Sequence, residues 1–154
     1  MELENIEKKI AEVIKKQMNL KENEFQLCLQ EALEIAEKAK YKANEMGISI
    51  VFSAVDKGGN LILLQRMEGA LLASIDISIN KAYTANAFQM PTNQLTQQAL
   101  QGKPLYGIQN TNQGKVVIFG GGYPYYKNGI LAGAIGVSGG TVEEDMLIAE
   151  FSLK

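Results

Sequence analysis

The sequence GGGYPYYKNGILAGAIGVSGG, at residues 120–140, contains the signals that decide the fold. At its centre, Asn128-Gly129 separates two largely apolar segments. This dipeptide predicts a two-residue β-hairpin loop, because both central positions of a type I′ turn have positive φ. We therefore predict a pair of antiparallel strands at 123–127 and 130–138.

The residues that follow the hairpin, TVEED at 141–145, have the pattern of a helix start. Thr141 and Glu144 are spaced as a capping box, in which each side chain accepts a hydrogen bond from the other residue's amide. Asp145 adds negative charge near the positive end of the helix dipole. A C-terminal helix is therefore predicted to begin at Thr141.

Apolar periodicity before the hairpin predicts four more helices and three more strands. The predicted helices are 3–18, 25–46, 71–90 and 92–101, and the predicted strands are 48–55, 61–67 and 115–119. A polar break at 20–24 separates the first two helices, Gly47 ends the second, and Thr92 can cap the fourth. The chain is thus predicted to be an α+β domain with a five-stranded antiparallel sheet and flanking helices.

The first predicted helix has its apolar residues on one stripe at three- and four-residue spacing, with Glu and Lys elsewhere. These residues are Leu3, Ile6, Ile10, Val13 and Ile14. Such a stripe is expected to pack against another surface.

Length and composition indicate one ordered domain: the chain has 154 residues, of which 46% are hydrophobic and 21% charged. The net charge is -2. Because there is no basic excess to attract phosphates, we expect no nucleic-acid partner. The acidic N-terminus differs from a signal peptide, and no segment reaches the apolar length of a spanning helix, so we expect a cytoplasmic protein without membrane association.

The residues that most often carry chemistry are scarce. The sequence has no histidine, which removes the commonest general base, zinc ligand and haem ligand. The single cysteine, Cys28, can be a nucleophile or ligand, but a buried packing role is the favoured interpretation. We assign no catalytic residue and no metal ligand.

The glycines of 120–122 allow two interpretations. They can form a nest of backbone N–H groups that holds a carboxylate or phosphate, or a bulge that turns the chain into the next strand. The alternation of small residues over 133–140 predicts that a helix or a ligand approaches that strand closely, and close packing is the favoured reason.

Several segments occur in a characteristic order: VDKGGNL at 55–61, QRMEGA at 65–70, Ser74 with KAYTA at 81–85, GGYP at 121–124, and GAIGVSG at 133–139 before Glu144-Asp145. Together they resemble the haem-degrading-domain family, which includes GlcG-like and HbpS-like proteins and the C-terminal domain of PduO-type cobalamin adenosyltransferases. The resemblance covers about 25–153. It divides the chain into an N-terminal helix at 1–20 and a single family domain at 21–154.

The resemblance implies a profilin-like α+β domain that assembles into homo-oligomers such as tetramers or octamers. It also implies a small-molecule ligand, with haem or cobalamin as the cofactors to consider. Where family members hold haem iron, a histidine near the first family helix is implicated, and this sequence has none.

Carried onto this sequence, the resemblance implies a ligand site made of Arg66, Lys81, Thr84, Gly121, Gly122 and Pro124. The first function that we expect is the binding of haem, a corrinoid or a small anionic metabolite, accessory to diol, glycolate or corrinoid metabolism. The alternatives are an enzyme that acts on a tetrapyrrole, and an assembly protein without a ligand whose N-terminal helix lies across a neighbouring subunit.

Overall fold

Helices and strands alternate in blocks along this computed structural model, which describes residues 2–154 and the side chains of 5–18 and 24–154. The elements are α1 (Glu2–Glu24), α2 (Leu29–Met46), β1 (Val51–Asp56), β2 (Leu61–Arg66), α3 (Ala73–Phe88), α4 (Asn93–Ala99), β3 (Gly122–Lys127), β4 (Ile130–Ser138) and α5 (Val142–Ser152). Two short 3₁₀ turns, Ile108–Asn110 and Asn112–Gly114, lie between α4 and β3.

The four strands form one antiparallel sheet in the order β2-β1-β4-β3. Val51 of β1 pairs with Arg66 of β2 on one side and with Ser138 of β4 on the other. The strands β2 and β3 are therefore the two edges of the sheet. The predicted α+β class and antiparallel pairing are confirmed.

The two faces of the sheet carry different layers, because successive side chains of a strand point to opposite sides. Phe52, Ile135 and Val137 belong to a core that also includes residues of α2 and α5. Burial of one side chain of this kind contributes about 1.5–3 kcal/mol. The opposite face packs against α3, where the Ser53 and Ser78 hydroxyls are 2.7 Å apart.

Helix α3 lies unusually close to β4. A Cβ atom at Gly136 would overlap the Ser78 carbonyl oxygen and approach the Ala82 nitrogen to 2.8 Å. At Gly136 the small residue therefore serves helix packing, and at Gly133 and Gly139 it admits the backbone of Val55 and Ser49, so close packing, the favoured interpretation, is confirmed.

The local signals of the sequence are confirmed where a turn or cap decides them. Gly47 ends α2 with φ of 70°. Asn128 and Gly129 have φ of 50° and 77°, as a type I′ turn requires. Thr141 and Glu144 form the capping box that begins α5.

The fifth predicted strand, 115–119, is wrong: the sheet of the described residues has four strands. The backbone of this segment forms hydrogen bonds with threonine hydroxyls, and these take the place of a neighbouring strand. Val117 N donates to Thr84 Oγ1 over 2.9 Å, and Thr96 Oγ1 donates to the Ile118 carbonyl over 2.7 Å. With these backbone groups satisfied from α3 and α4, the apolar segment lies outside the sheet.

Three smaller predictions are also wrong. The polar break at 20–24 is absent, because α1 continues to Glu24. Thr92 makes no side-chain cap for α4; it is buried and its Oγ1 accepts from Gly122 N at 3.0 Å. Cys28 is exposed at the start of α2 rather than buried.

The apolar stripe of α1 remains open to solvent. Ile6, Ile10, Val13 and Ile14 of the predicted stripe, with Met18 on the same side, are 50–61% exposed, and the side chain of Leu3 lies outside the described residues. Among the side chains that the structure describes, the stripe therefore has no packing partner. None of the described helices is both long enough and apolar enough to cross a membrane.

Candidate functional site

Lys81 is the central side chain among the predicted site residues. It lies on the face of α3 that packs against the sheet and is fully buried. Its Nζ donates to the Val137 carbonyl oxygen at 2.8 Å and to Asp145 Oδ2 at 2.7 Å, and lies 5.1 Å from the centre of the Phe119 ring. An ammonium has three donors, so these contacts account for its bonding capacity.

Asp145 lies in the first turn of α5, where the helix dipole favours a negative charge. Its Oδ1 accepts from Gly140 N at 2.9 Å, so both carboxylate oxygens have partners. Lys81 and Asp145 thus join α3 to the start of α5 beside the end of β4.

Burial acts against both charges of this pair. Desolvation lowers the pKa of Lys81 and raises the pKa of Asp145, while the attraction between the two groups opposes each change. The geometry gives a closed ion pair that fastens elements together.

The glycines beside the pair are in close contact with it. Gly121 has φ of 118°, and a Cβ atom there would lie 2.6 Å from Lys81 Nζ and 2.7 Å from the Val137 oxygen. A Cβ atom at Gly122 would overlap the Lys81 carbonyl oxygen. The cation that a bound anion would need is held here by Asp145 of the chain itself.

Thr84, one turn after Lys81, serves the backbone of the following loop. Its hydroxyl lies 2.7 Å from the Asn80 oxygen and 3.2 Å from the Lys115 oxygen, and accepts from Val117 N. These contacts hold the segment 115–117 on α3.

Arg66 and Pro124 lie at opposite edges of the sheet, on β2 and β3. Three inter-strand spacings separate these edges, a distance of about 14 Å. The structure therefore brings Lys81, Thr84, Gly121 and Gly122 together, and it places Arg66 elsewhere. Pro124 suits an edge strand because it has no N–H to donate.

The surroundings of Arg66 differ from those of Lys81. Arg66 is exposed, and its Nε and Nη2 donate to the Ala70 carbonyl oxygen at 3.3 and 2.9 Å. Leu71 and Leu72 follow directly and are 67% and 78% exposed. An accessible guanidinium thus lies next to an accessible apolar surface.

Sequence reasoning missed two of these features. It used Asp145 as a helix-end charge and as part of the family pattern but did not pair it with Lys81, since nothing local connects two residues 64 positions apart. Leu71 and Leu72 were placed within a helix, although α3 begins only at Ala73. Among the described residues, no three Cys, Asp or Glu side chains are grouped to hold a metal ion.

The model of one protein family, the HbpS-like haem-degrading proteins, matches residues 27–154. A 15.0 kDa Citrobacter freundii protein from the dhaT-dhaS intergenic region is 48% identical over 136 residues, which are 88% of this chain and 96% of that protein. The match to the family model begins after the end of α1.

The corrinoid adenosyltransferase PduO of Citrobacter freundii is 41% identical over 133 residues, which are 86% of this chain and only 40% of the enzyme. Among solved structures, a complex of PduOC with heme is 38% identical, with a TM-score of 0.80. That alignment covers 83% of this chain and 93% of PduOC.

Proposed function

Because the chain belongs to the family of HbpS-like haem-degrading proteins, we propose that it binds a tetrapyrrole, either haem or a corrinoid. The similarity to PduOC, whose structure is a complex with heme, carries this proposal. The corrinoid alternative is supported by the similarity to part of PduO. A role accessory to corrinoid metabolism belongs to the same proposal.

The surface that fits such a ligand is formed by Arg66, Leu71 and Leu72. Haem has an apolar plane and carboxylate side chains, so it needs an apolar contact surface with a cation beside it. Leu71 and Leu72 are the exposed apolar pair, and Arg66 is the accessible cation. Guanidinium groups bind carboxylates with two parallel hydrogen bonds when the geometry allows.

The remaining predicted site residues support this surface from within the domain. Lys81 is buried and bonded to Asp145, and Thr84 is bonded to the backbone at 115–117. We propose that these residues, with Gly121 and Gly122, maintain the fold of the binding domain rather than contact the ligand.

The iron centre of a bound haem would need a ligand other than histidine, because the sequence contains none. The residues present fit the apolar plane and the carboxylates of haem, and they do not fit histidine ligation of its iron.

A titration of the purified chain with haem, and separately with cobalamin, tests the function. We expect saturable binding of at least one of the two ligands. If neither haem nor cobalamin binds saturably, the proposal is refuted. An Arg66→Ala variant should bind haem about ten- to a hundredfold more weakly, because a hydrogen bond to a charged group is worth about 1.5–3 kcal/mol.

Matched variants test the position of the site. Leu72→Ser should weaken binding, whereas Lys57→Ala, which removes an exposed cation from the β1–β2 turn, should not. If wild-type binding is saturable but Arg66→Ala and Leu72→Ser leave it unchanged, the function stands and this surface is wrong.

A further inference from the structure

The apolar stripe of α1, formed by Ile6, Ile10, Val13, Ile14 and Met18, lies outside the region that the family model matches. All five side chains are at least half exposed. The helix has 23 residues and is about 35 Å long at 1.5 Å per residue. It is therefore long enough to lie across the helical layer of a domain of this size.

The charges of α1 are mainly positive over its described side chains. Residues 5–18 contain four lysines and two glutamates. Lys9 and Lys16 each lie one helical turn from Val13, so they flank the stripe on that side. A surface that covers the stripe should be apolar at its centre and acidic at its rim.

The outer surface of α2 and α5 has that composition. Tyr41 and Phe151 stack with ring centres 6.3 Å apart, and Leu147 lies one turn before Phe151 on α5. Tyr41 and Leu147 are 62% and 48% exposed. We call these three residues the α2/α5 patch.

Acidic residues lie along the α5 side of the α2/α5 patch. Helix α5 contains Glu143, Glu144, Asp145 and Glu150, and it contains no lysine or arginine. Glu143 and Glu150 lie within one helical turn of Leu147. On the α2 side, Lys42 Nζ lies 5.4 Å from the centre of the Phe151 ring and is paired with Glu45 at 2.8 Å. The patch thus matches the stripe of α1 in polarity, and its α5 side matches the lysine flank in charge.

We propose that α1 of one copy docks on the α2/α5 patch of a second copy, and that the two copies exchange their N-terminal helices in this way. Because each chain carries both surfaces, a reciprocal exchange closes a two-fold dimer. Antiparallel pairing of two α1 stripes would instead bring the Lys9 and Lys16 flanks together, and like charges oppose that arrangement.

Docking of α1 on its own domain is disfavoured by the segment that joins α1 to α2. Leu27 is buried, and its N donates to the Ala132 carbonyl oxygen at 2.8 Å. Lys127 Nζ donates to the Gln26 carbonyl oxygen at 2.6 Å. These contacts hold the joining segment on β4 and the end of β3. The stripe of α1 stays exposed although the same chain also carries an α2/α5 patch.

Cross-linking between a tagged and an untagged copy, which differ in size, tests the exchange of N-terminal helices. In a Cys28→Ser background, a tagged full chain with Leu147→Cys is unfolded and refolded together with an untagged chain with Ile10→Cys, and a short bis-maleimide is added. We expect a covalent heterodimer. Lys8→Cys, on the opposite side of α1, replaces Ile10→Cys in the control and should give little product.

A heterodimer yield no higher than that of the Lys8→Cys control would overturn the proposal. So would a chain carrying both Ile10→Cys and Leu147→Cys that cross-links only within itself, since this would place α1 on its own domain. Circular dichroism of each variant establishes that the domain is folded.

Charge reversal supplies an independent measurement. Lys9→Glu with Lys16→Glu should reduce the cross-linked yield severalfold, because these charges flank the stripe. Lys8→Glu with Lys15→Glu makes the same change in net charge on the other side of α1 and should leave the yield unchanged. An equal loss of cross-linked yield in both double variants would contradict docking of the lysine flank on an acidic rim.

Discussion

Lys81 of α3 and Asp145 of α5 form a buried ion pair, with 2.7 Å between Nζ and Oδ2. The two residues are 64 positions apart, and the pair holds α3 and the start of α5 on the same end of β4. Of the residues that the family resemblance suggests as a ligand site, Lys81 thus joins two helices to the sheet.

Removal of one partner of this pair should destabilise the domain strongly. Lys81→Met leaves the Asp145 carboxylate buried without its cation, so we expect the free energy of unfolding to fall by about 3–5 kcal/mol. Adding Asp145→Asn removes the unpaired charge and should recover a measurable part of the loss. Urea unfolding measures both effects.

The double variant decides whether an unpaired charge causes the loss. If Lys81→Met with Asp145→Asn is no more stable than Lys81→Met alone, the cost comes from packing of the lysine stem. Lys103→Met, at an exposed position, should change stability by less than about 0.5 kcal/mol.

Gly136→Ala should destabilise the sheet–helix contact. The added methyl group would overlap the Ser78 carbonyl oxygen, so α3 must move away from β4. Overpacking of this kind costs about 1–3 kcal/mol, which thermal or urea unfolding would detect. Gly58→Ala meets only exposed side-chain ends, Asn60 Nδ2 at 2.9 Å and Asp56 Oδ1 at 3.2 Å, and should cost clearly less. Equal losses would argue against the close approach of α3.

Thr84→Val should release the loop that was expected to be a strand. The valine keeps the shape of threonine but leaves Val117 N without its acceptor, at a cost of about 1–3 kcal/mol. Hydrogen exchange at the Val117 amide should accelerate. Thr111→Val, at an exposed position, provides the comparison, and unaltered exchange at Val117 in Thr84→Val would contradict the role of the hydroxyl.

Stability should decrease at alkaline pH because of Tyr123. Burial and a hydrogen bond to Glu150 raise the pKa of Tyr123 above its ordinary value of 10.0. The unfolded chain then releases this proton at a lower pH than the folded chain does, so stability is complete below pH 10.0 and falls as the pH rises further.

The free energy of unfolding, measured at several pH values above neutrality, tests whether stability decreases as the pH rises. Tyr123→Phe should flatten the alkaline decrease, while Tyr106→Phe, which removes an exposed hydroxyl, should leave it in place. A residual decrease is expected because burial also raises the pKa of Tyr125. A wild-type stability that is constant above pH 10.0 would show that the premise is wrong.

Turns and caps were predictable because their causes lie within a few residues. Asn128-Gly129 adopts positive φ at both positions, and Thr141 with Glu144 closes its own capping box. Each of these structures depends on backbone conformations and hydrogen bonds between near neighbours, which the residue types alone favour.

The segment 115–119 shows where local reasoning fails. Its β-branched and apolar residues are typical of a strand, but Thr84 and Thr96 bind its backbone from two helices. An apolar extended segment needs hydrogen-bond partners, and sequence pattern does not say whether a strand or a side chain provides them.

The sequence by itself determined the α+β class, the β3–β4 hairpin and the start of the last helix, because periodicity and capping are local properties. Tertiary structure alone decided that Lys81 meets Asp145, that Arg66 lies at the opposite edge of the sheet from Gly122, and that the stripe of α1 is exposed. These relationships depend on strand order and helix packing between distant segments, which no single segment encodes.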